Sequence, residues 1–265
     1  MALPVLLAAV DLGPHTGRVL WHAAGFARLL DLELKIVHVS ADVSAAAHER
    51  VLHRCLQASP YEIDVTPGDV RLRAGRVSEA IAREARREQA TMIVMGARGH
   101  TGVASLLLGS TSRAVLRDAT APVLLVPPND MDIVNVSDTV ALTCGPVIAA
   151  VDLADGCERQ LRLASVLAQR ASQPLVLMTV AKSRTTDHQA SLMLRQRAHG
   201  LEPQRPSAIV VRRGSVPEEI ARCAATEGAG LVVMGLRSSA NGRPGSIASA
   251  VLKTKRAFVL AVPGC

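Results

Sequence analysis

The sequence predicts an α/β protein made of two tandem doubly wound domains, each with a parallel sheet and helices on both faces. Short aliphatic segments of strand length alternate with segments of helical spacing along the 265 residues, and this alternation is typical of strand–helix–strand units. Hydrophobic residues make up 49% of the chain but aromatic residues only 2%. Val, Leu, Ile and Ala must therefore fill the core, as they do in buried parallel strands.

The first half contains five predicted strands and four predicted helices in alternation. The third strand alternates apolar and polar residues, so we expect it near the edge of its sheet. Thr16 and Ser78 are expected to cap the first and third helices, because a hydroxyl at such a position accepts a hydrogen bond from the helix backbone. The predicted strands are 5–10, 34–39, 69–73, 90–95 and 122–126, and the predicted helices are 16–30, 45–57, 77–87 and one that includes 113–117.

The second half repeats this order at a distance of about 140 residues, which suits a second complete domain and not a short solenoid unit. The matching segments are 146–152 with 4–11, 231–235 with 92–96, and 257–263 with 121–127. We therefore predict domains at 1–127 and 146–265, joined by a linker at 128–145 that begins with polar residues.

The formal net charge of +7 raises the question of a nucleic-acid partner. The basic residues are dispersed, however, and the densest group, Arg83, Arg86 and Arg87, is interleaved with Glu84 and Glu88 on one predicted helix. This interleaving predicts a solvated helix face and not a polyanion-binding patch. The scarcity of aromatic side chains also argues against binding of bases by stacking. We expect no nucleic-acid partner.

The five cysteines are scattered and form no C-x-x-C pair. Neither a disulfide framework nor a zinc site is indicated, so we expect a reducing, cytoplasmic location. The apolar start of the chain lacks a basic segment and reaches Asp11 too early for a signal peptide. No apolar run approaches membrane-spanning length, so no membrane partner is expected. The histidines lack metal-ligand spacing, and no protein metal site is predicted.

A glycine-bearing loop follows the fourth predicted strand. Gly-Ala-Arg-Gly at 96–99 is followed, after nine intervening residues, by Gly-Ser-Thr-Ser at 109–112, where a helix begins. Glycines let the backbone approach an anion, and a helix N-terminus offers unpaired N–H groups and a partial positive charge. This arrangement predicts a phosphate site whose spacing fits neither a Walker loop nor a Rossmann fingerprint. Asp11, at the end of the first strand, either shares that crevice or caps the turn that follows it.

Together these residues resemble a tandem universal stress protein. Residues 96–110 fit the family's nucleotide signature, G-x2-G-x9-G-[ST], without a gap, and the resemblance covers both halves of the chain. The Asp-ending first strand, the His38-Val39 end of the second strand and the Val-Pro ends of both halves are in register. The resemblance implies a five-stranded parallel sheet in the order 3-2-1-4-5 in each domain. It also implies ATP binding, which accompanies the intact signature.

The resemblance implies a role for each residue of the site. Asp11 corresponds to the aspartate that contacts the ribose and adenine end, and Val39 to the residue whose backbone meets adenine. Met95 and Gly96 would line the middle of the nucleotide. The group that takes the phosphates would be Gly99, Gly109, Ser110 and Thr111. Arg98 either adds positive charge to this group or is simply exposed.

The second half departs from the signature. Ser238 stands where the second glycine is expected, and Gly245-Ser246 follows after six residues instead of nine. The shorter loop would crowd or expose the phosphates of a nucleotide. We therefore expect the nucleotide loop of the second domain to be degenerate and not to bind. Because Asp152 is retained, binding of a smaller ligand remains an alternative.

We predict a cytoplasmic stress-response protein whose first domain binds ATP, or AMP or ADP, with Mg²⁺, as a ligand-linked switch. The nucleotide would order the loop at 97–108 and change which surface is available to a protein partner. No general base and no carboxylate dedicated to a metal is found, so we name no catalytic residue and expect slow hydrolysis at most. The resemblance further implies pairing through the last strands, which gives a pseudo-dimeric chain or a homodimer.

Two alternatives remain open at this point. One is a nucleotide-hydrolysing or nucleotidyl-transferring enzyme, because residues 15–18 resemble the H-x-G-H loop of nucleotidylyltransferases. That chemistry uses both histidines to stabilise charge, and here the second is Arg18. The other alternative is a partner-binding module in which the glycine loop is a relic.

Overall fold

The computed structural model of the chain describes residues 3–58, 65–98, 108–128, 132–136, 140–142, 145–154, 156–236, 245–254 and 257–264. Contacts divide the chain into two compact units, unit 1 (Met1–Val140) and unit 2 (Ala141–Cys265). The division falls inside the segment that the sequence predicts as the linker. Within the described ranges, no helix has the length and apolar character needed to cross a membrane.

Strands and helices alternate in unit 1 in the predicted order. Strand β1 and helices α1 and α3 have the predicted bounds, and the other strands and α2 agree with the prediction to within about two residues at each end. Helix α4 contains the predicted 113–117 and begins three residues earlier. The elements of unit 1 are β1 Val5–Val10, α1 Thr16–Leu30, β2 Glu33–Val39, α2 Ala45–Ala58, a 3₁₀ turn Pro67–Asp69, β3 Val70–Arg73, α3 Val77–Arg87, β4 Met92–Gly96, α4 Ser110–Asp118, β5 Val123–Val126 and β6 Val134–Val136. A further short strand, β7 Val140–Leu142, lies at the boundary of the units.

The main sheet of unit 1 is parallel, with the strand order β3-β2-β1-β4-β5, and this confirms the predicted order 3-2-1-4-5. The central strand β1 is buried along its whole length. Helix α1 packs against α2, and α3 packs against α4. With this strand order, the right-handed crossovers that are the rule for parallel strands put the two helix pairs on opposite faces of the sheet. Both faces of the inner strands are then covered, which explains why these strands are aliphatic throughout.

Unit 2 repeats this architecture. Its strands follow the order β10-β9-β8-β11-β12, which is again 3-2-1-4-5 when the strands are counted within the unit. The elements are β8 Val147–Ala150, α5 Glu158–Arg170, β9 Leu175–Val180, α6 Asp187–Ala198, β10 Ala208–Arg212, α7 Val216–Thr226, β11 Leu231–Leu236, α8 Ser246–Lys253 and β12 Phe258–Pro263.

Both predicted helix caps are wrong. Helix α3 begins at Val77 with Arg76 in the N-cap position, so Ser78 lies inside the first turn. The turn that leads into α3 is at Gly75, whose φ of 109° is a conformation that glycine adopts readily. The helix therefore begins before Ser78. The N-cap of α1 is His15, and Thr16 is the first helical residue.

The prediction of a solvated charged face on α3 is correct only for its arginines. Arg83, Arg86 and Arg87 are exposed. Glu84 is buried, with 2% exposure, and Glu88 is partly buried. The two glutamates turn towards the sheet because β2 and β3 present basic side chains to them.

Those basic side chains are Lys35, Arg71 and Arg73. Arg73 donates from Nη2 to Glu84 Oε1 at 2.7 Å and from Nε to Glu84 Oε2 at 2.5 Å. Glu88 accepts from Arg71 Nε at 2.7 Å and from Lys35 Nζ at 3.0 Å. Burial alone would raise the pKa of Glu88, but these two hydrogen bonds outweigh it and the pKa lies below its usual value. Lys35, Arg71 and Arg73 are thus engaged in ion pairs within the fold.

The chain packs back onto α1 after β5. Ile133 and Val134 are buried, with 0% and 3% exposure. A Cβ atom on Gly25 of α1 would lie 2.1 Å from Val134 Cγ1, so only glycine fits at this closest approach. The predicted linker therefore contains a segment that belongs to the core of unit 1.

His22 of α1 holds this segment by hydrogen bonds. Its Nε2 accepts from the backbone N–H of Ile133 at 3.4 Å, and its Nδ1 lies 2.8 Å from the carbonyl oxygen of Arg18. The neutral ring therefore carries its proton on Nδ1. Arg18 Nη1 in turn donates to Asp132 at 2.9 Å. Burial lowers the pKa of His22 to about 4, so the ring is neutral near pH 7.

Candidate functional site

The predicted site residues of the first two strands lie at the carboxyl edge of the sheet in unit 1. The register pairs Val10 with His38, so the residues that follow them, Asp11 and Val39, lie at the same level of the edge. His38 Nδ1 lies 2.9 Å from the carbonyl oxygen of Val10 and joins the two strand ends. Asp11 is exposed, whereas Val39 is partly buried. This edge is where ligands bind in open parallel sheets.

Strand β4 brings the middle of the predicted site to the same edge. Met95 pairs with Ala9 of β1, and Gly96 ends the strand. Met95 is 5% exposed, so its side chain belongs to the core, and Gly96 is the more accessible of the two. Arg98 is partly buried and is the last described residue before the gap at 99–107, and Gly99 lies outside the described residues.

The carboxylate of Asp11 closes the turn after β1. Its Oδ1 accepts a hydrogen bond from the backbone N–H of Gly13 at 2.9 Å. An ionised carboxylate has roughly four lone-pair sites, so this bond leaves acceptor capacity for hydroxyl groups of a ligand. The turn-capping role and the ligand role of Asp11 are therefore compatible.

A set of short hydrogen bonds holds the start of α4 against the end of β4. Gly109 N donates to Ala97 O at 2.8 Å, and Ala97 N donates to Val126 O at 2.8 Å. The Ser112 hydroxyl lies 3.0 Å from Gly96 O and 3.1 Å from Ala97 O, and the side chain is buried, with 1% exposure. We name this set the α4 clamp. The sequence alone assigned no separate role to Ser112. Its position, two residues after the Gly109-Ser110 pair, is the pattern that could have indicated this role.

The clamp leaves the N-terminus of α4 open to an anion. Gly109 is the N-cap residue and has no side chain to accept from the helix, and the first turn contains no acidic residue. Ser110 is exposed and Thr111 partly buried. Within the described ranges, no group accepts a hydrogen bond from the backbone N–H of either residue. The backbone N–H groups and the two hydroxyls can donate hydrogen bonds to phosphate oxygens, and glycine lets a phosphate approach the backbone closely.

A metal site built from protein side chains does not occur in the described part of the chain. No three His, Cys, Asp or Glu residues there are close enough to hold an ion.

The same edge of unit 2 is organised differently. Asp152 caps its turn as Asp11 does, accepting from Ala154 N at 2.9 Å. Gln160 is buried, with 1% exposure, and its Nε2 donates to Ala150 O at 2.8 Å and to Val233 O at 3.0 Å. It joins the neighbouring strands β8 and β11 at the carboxyl end of β8. The loop at 237–244, which includes the predicted departure from the signature, lies outside the described residues.

Helix α8 of unit 2 also lacks the clamp. Its N-cap, Gly245, has a left-handed φ of 91°, whereas Gly109 is extended at −67°. Counting from these glycines, Ala248 stands where unit 1 has Ser112, and among the described residues no hydroxyl of α8 bonds to β11. The helix start is consequently not fixed to its strand by a side chain.

Comparison with known proteins identifies the family of this chain. A model of the universal stress protein family matches residues 4–127. A universal stress protein of Thermus aquaticus is 36% identical over 132 residues, which cover 46% of this chain and 96% of that protein. A universal stress protein of Synechocystis is 32% identical over 122 residues, or 45% of this chain, and the match spans only 41% of that longer protein.

A solved structure extends the likeness to the whole chain. The crystal structure of a universal stress protein from Archaeoglobus fulgidus superimposes with a TM-score of 0.69 and 21% identity, and covers 98% of each chain. At this identity the match establishes the fold. Given the family model over unit 1 and a relative aligned along nearly its whole length, the chain belongs to the universal stress protein family.

Proposed function

We propose that unit 1 binds an adenine nucleotide, ATP or its products AMP and ADP, and that the protein acts as a ligand-linked switch in a cytoplasmic stress response. The observation that carries this proposal is the α4 clamp. Ser112 and Gly109 fix the helix N-terminus against the end of β4, beside the strand ends that carry Asp11 and Val39. A phosphate-binding helix start held rigidly beside a ribose-binding carboxylate suits a nucleotide.

Each predicted residue has a distinct task in this proposal. Ser110 and Thr111, with the backbone of Gly109, would hold phosphate oxygens at the open start of α4. Asp11 would accept hydrogen bonds from ribose hydroxyls, and the backbone of Val39 would meet the base. Gly99, outside the described residues, and Arg98 would complete the phosphate end.

Mg²⁺ would enter with the phosphates, because the described part of the chain supplies no cluster of carboxylates for it. Bound nucleotide would then add negative charge to this edge of unit 1. A protein partner that distinguishes the loaded surface from the empty one would convert nucleotide level into a signal.

The enzymatic alternative is disfavoured by the environment of Arg18. That arginine, which lies in the first turn of α1, would have to replace the second histidine of a nucleotidylyltransferase. Its guanidinium instead donates to Asp132 at 2.9 Å, and its carbonyl oxygen is bonded to His22. The side chain is thus part of the packing of the 132–136 segment onto α1.

The proposal is tested by replacing Gly109 with valine. The backbone at this position is extended, with φ −67° and ψ 161°, a conformation that valine adopts readily. Its side chain would stand where a phosphate approaches the helix. We expect binding of ATP, measured by calorimetry, to fall below detection in Gly109→Val.

The matched control is Gly68→Val, in the exposed turn before β3, which we expect to bind ATP as the wild type does. Equal binding by Gly109→Val and wild type would refute the phosphate site. Absence of binding by the wild type would instead favour the relic alternative. Steady hydrolysis of ATP above ~1 per second would indicate an ordinary enzyme and not a switch.

A further inference from the structure

Unit 1 contains a cavity beside the proposed nucleotide site. It has a volume of about 240 Å³ and is lined by Leu12, Thr16, Arg54, Gln57 and Ala58. The first two residues belong to the turn and helix start that follow Asp11, and the other three to the last turn of α2. The cavity therefore lies next to the residue proposed to meet the ribose and adenine end of the ligand.

Two features of the cavity wall are typical of a ligand site. Thr16 is only 2% exposed, and its Oγ1 has no hydrogen-bond partner among the described residues. Buried hydroxyls are normally hydrogen-bonded, so the Thr16 hydroxyl is able to donate a hydrogen bond to a ligand or accept one from it. Leu12 has a left-handed backbone with φ 58°, a conformation that leucine rarely adopts and that is concentrated at ligand sites.

The counterpart of this cavity in unit 2 is occupied by a side chain of the protein itself. Arg197 of α6 donates from Nη2 to Leu153 O at 2.8 Å and from Nη1 to Cys157 Sγ at 3.0 Å. Leu153 and Cys157 follow Asp152 by the same distances along the chain as Leu12 and Thr16 follow Asp11. The guanidinium thus lies against the same two positions that form the wall in unit 1.

The helix registers of α2 and α6 explain this difference. In α2 the residues Val51 and Cys55 are buried, and Ala58 comes three positions later. In α6 the matching buried residues are Ala190 and Leu194, and three positions later comes Arg197. Hence one helix position carries alanine in unit 1, which leaves the cavity open, and arginine in unit 2, which fills it. We match Ala58 with Arg197 by counting from the buried residues of each helix and not from the helix ends, because α2 and α6 differ in length.

We propose that this helix position, Ala58 in unit 1 and Arg197 in unit 2, determines which unit admits the base of a nucleotide. The inference rests on the proposed function and deepens it. The cavity of unit 1 receives part of the base beside Asp11, and Arg197 excludes it from unit 2.

The chemistry of the wall fits a heterocyclic base. Leu12 and Ala58 give an apolar surface for its face, and a guanidinium such as that of Arg54 stacks on planar rings. The unpaired Thr16 hydroxyl and the amide of Gln57 can donate to or accept from ring nitrogens and amino groups. The wall is more polar than apolar, and convergent hydrogen-bonding groups of this kind fix the orientation of a ligand in its site.

The test transfers the unit 2 residue to unit 1. We expect Ala58→Arg to weaken adenosine and ATP binding in calorimetry by about a hundredfold, which corresponds to roughly 3 kcal/mol. Ala58→Leu, which fills the cavity without adding charge, is expected to weaken binding in the same direction. The control is Leu56→Arg, with the same charge gain at an exposed position of α2 that does not line the cavity. Circular dichroism of each variant reports whether it is folded.

The converse test opens unit 2. We expect Arg197→Ala to raise the stoichiometry of bound adenosine from one to two per chain, while Arg195→Ala, with the same charge loss at an exposed position of α6, leaves it at one. Binding by folded Ala58→Arg and Ala58→Leu equal to wild type, or no second adenosine in Arg197→Ala, would overturn the selector role while the nucleotide function stands. A wild type that binds no adenine nucleotide would overturn both.

Discussion

Unit 1 and unit 2 share one scaffold and differ at its functional edge. Each joins the end of its central strand to the next strand by a side chain: His38 lies 2.9 Å from Val10 O in unit 1, and Thr179 Oγ1 donates to Val151 O at 2.8 Å in unit 2. An imidazole and a hydroxyl thus do the same structural task. The scaffold depends on the aliphatic pattern and tolerates such exchanges.

The residues around the ligand edge are not interchangeable in this way. Ser112 holds the start of α4 in unit 1, and Ala248 cannot do so in unit 2. Unit 2 has the buried Gln160 where unit 1 has the buried Val19, and it directs Arg197 against positions that line a cavity in unit 1. Under the proposed function, this comparison means that a few polar side chains distinguish the two copies of a common fold, because buried polar groups must be either paired internally or paired by a ligand.

The largest expected effect concerns the ion pair between β3 and α3. Arg73→Met removes the main partner of Glu84, which is almost fully buried, and we expect a loss of about 3 kcal/mol in the free energy of unfolding. The counterpart Arg212→Met should cost less than about 1 kcal/mol, because Arg212 Nε has no hydrogen-bond partner among the described residues. Denaturant unfolding measures both. Equal losses would show that the two edge strands are held alike.

A second prediction uses His22, which has Leu163 at the corresponding position of unit 2. The pKa of His22 falls from 6.5 to about 4 on folding, so the unfolded chain binds a proton in the window between these values and the folded chain does not. The contribution of His22 to the free energy of unfolding is constant above pH 6.5 and falls by roughly 3 kcal/mol as the pH drops from 6.5 to 4. His22→Leu, which copies unit 2, should remove this part of the pH dependence of urea unfolding. An unchanged pH profile would show that the histidine is not buried in its neutral form.

A smaller effect is expected at Gly25, where the 132–136 segment packs on α1. A methyl group there would meet Val134, so Gly25→Ala should destabilise unit 1 by about 1–2 kcal/mol through overpacking. Val134→Ala in the same chain should restore part of the loss by making room. If Gly25→Ala is neutral or stabilising, the segment does not pack against α1 in solution.

The sequence was sufficient for the elements and their order. The bounds of α1 follow from aliphatic periodicity, because burial imposes this pattern directly, and the order of the sheet was implied by the resemblance to universal stress proteins. The turn into α3 was misjudged, since Gly75 fixes its position and the nearby Ser78 hydroxyl does not. The orientation of Glu84 also required the structure, because its partner Arg73 lies on a different element.

The site was only partly predictable for the same reason. The positions of Asp11, Val39 and Gly109 at one edge follow from the strand order and the signature. The roles of Ser112 and Arg197 depend on hydrogen bonds to residues distant in sequence, and no local pattern contains them. The spacing of the signature shows where in the sequence the two units differ. Only the packing shows which side chains leave room for a ligand and which fill that room.

The most direct test of the central claim is native mass spectrometry of freshly purified full-length protein, with the bound molecule identified after denaturation. The account predicts one adenine nucleotide per chain in the wild type and none in Gly109→Val. Wild-type protein that carries no nucleotide and takes none up from added ATP, or that carries one in each unit, would contradict it.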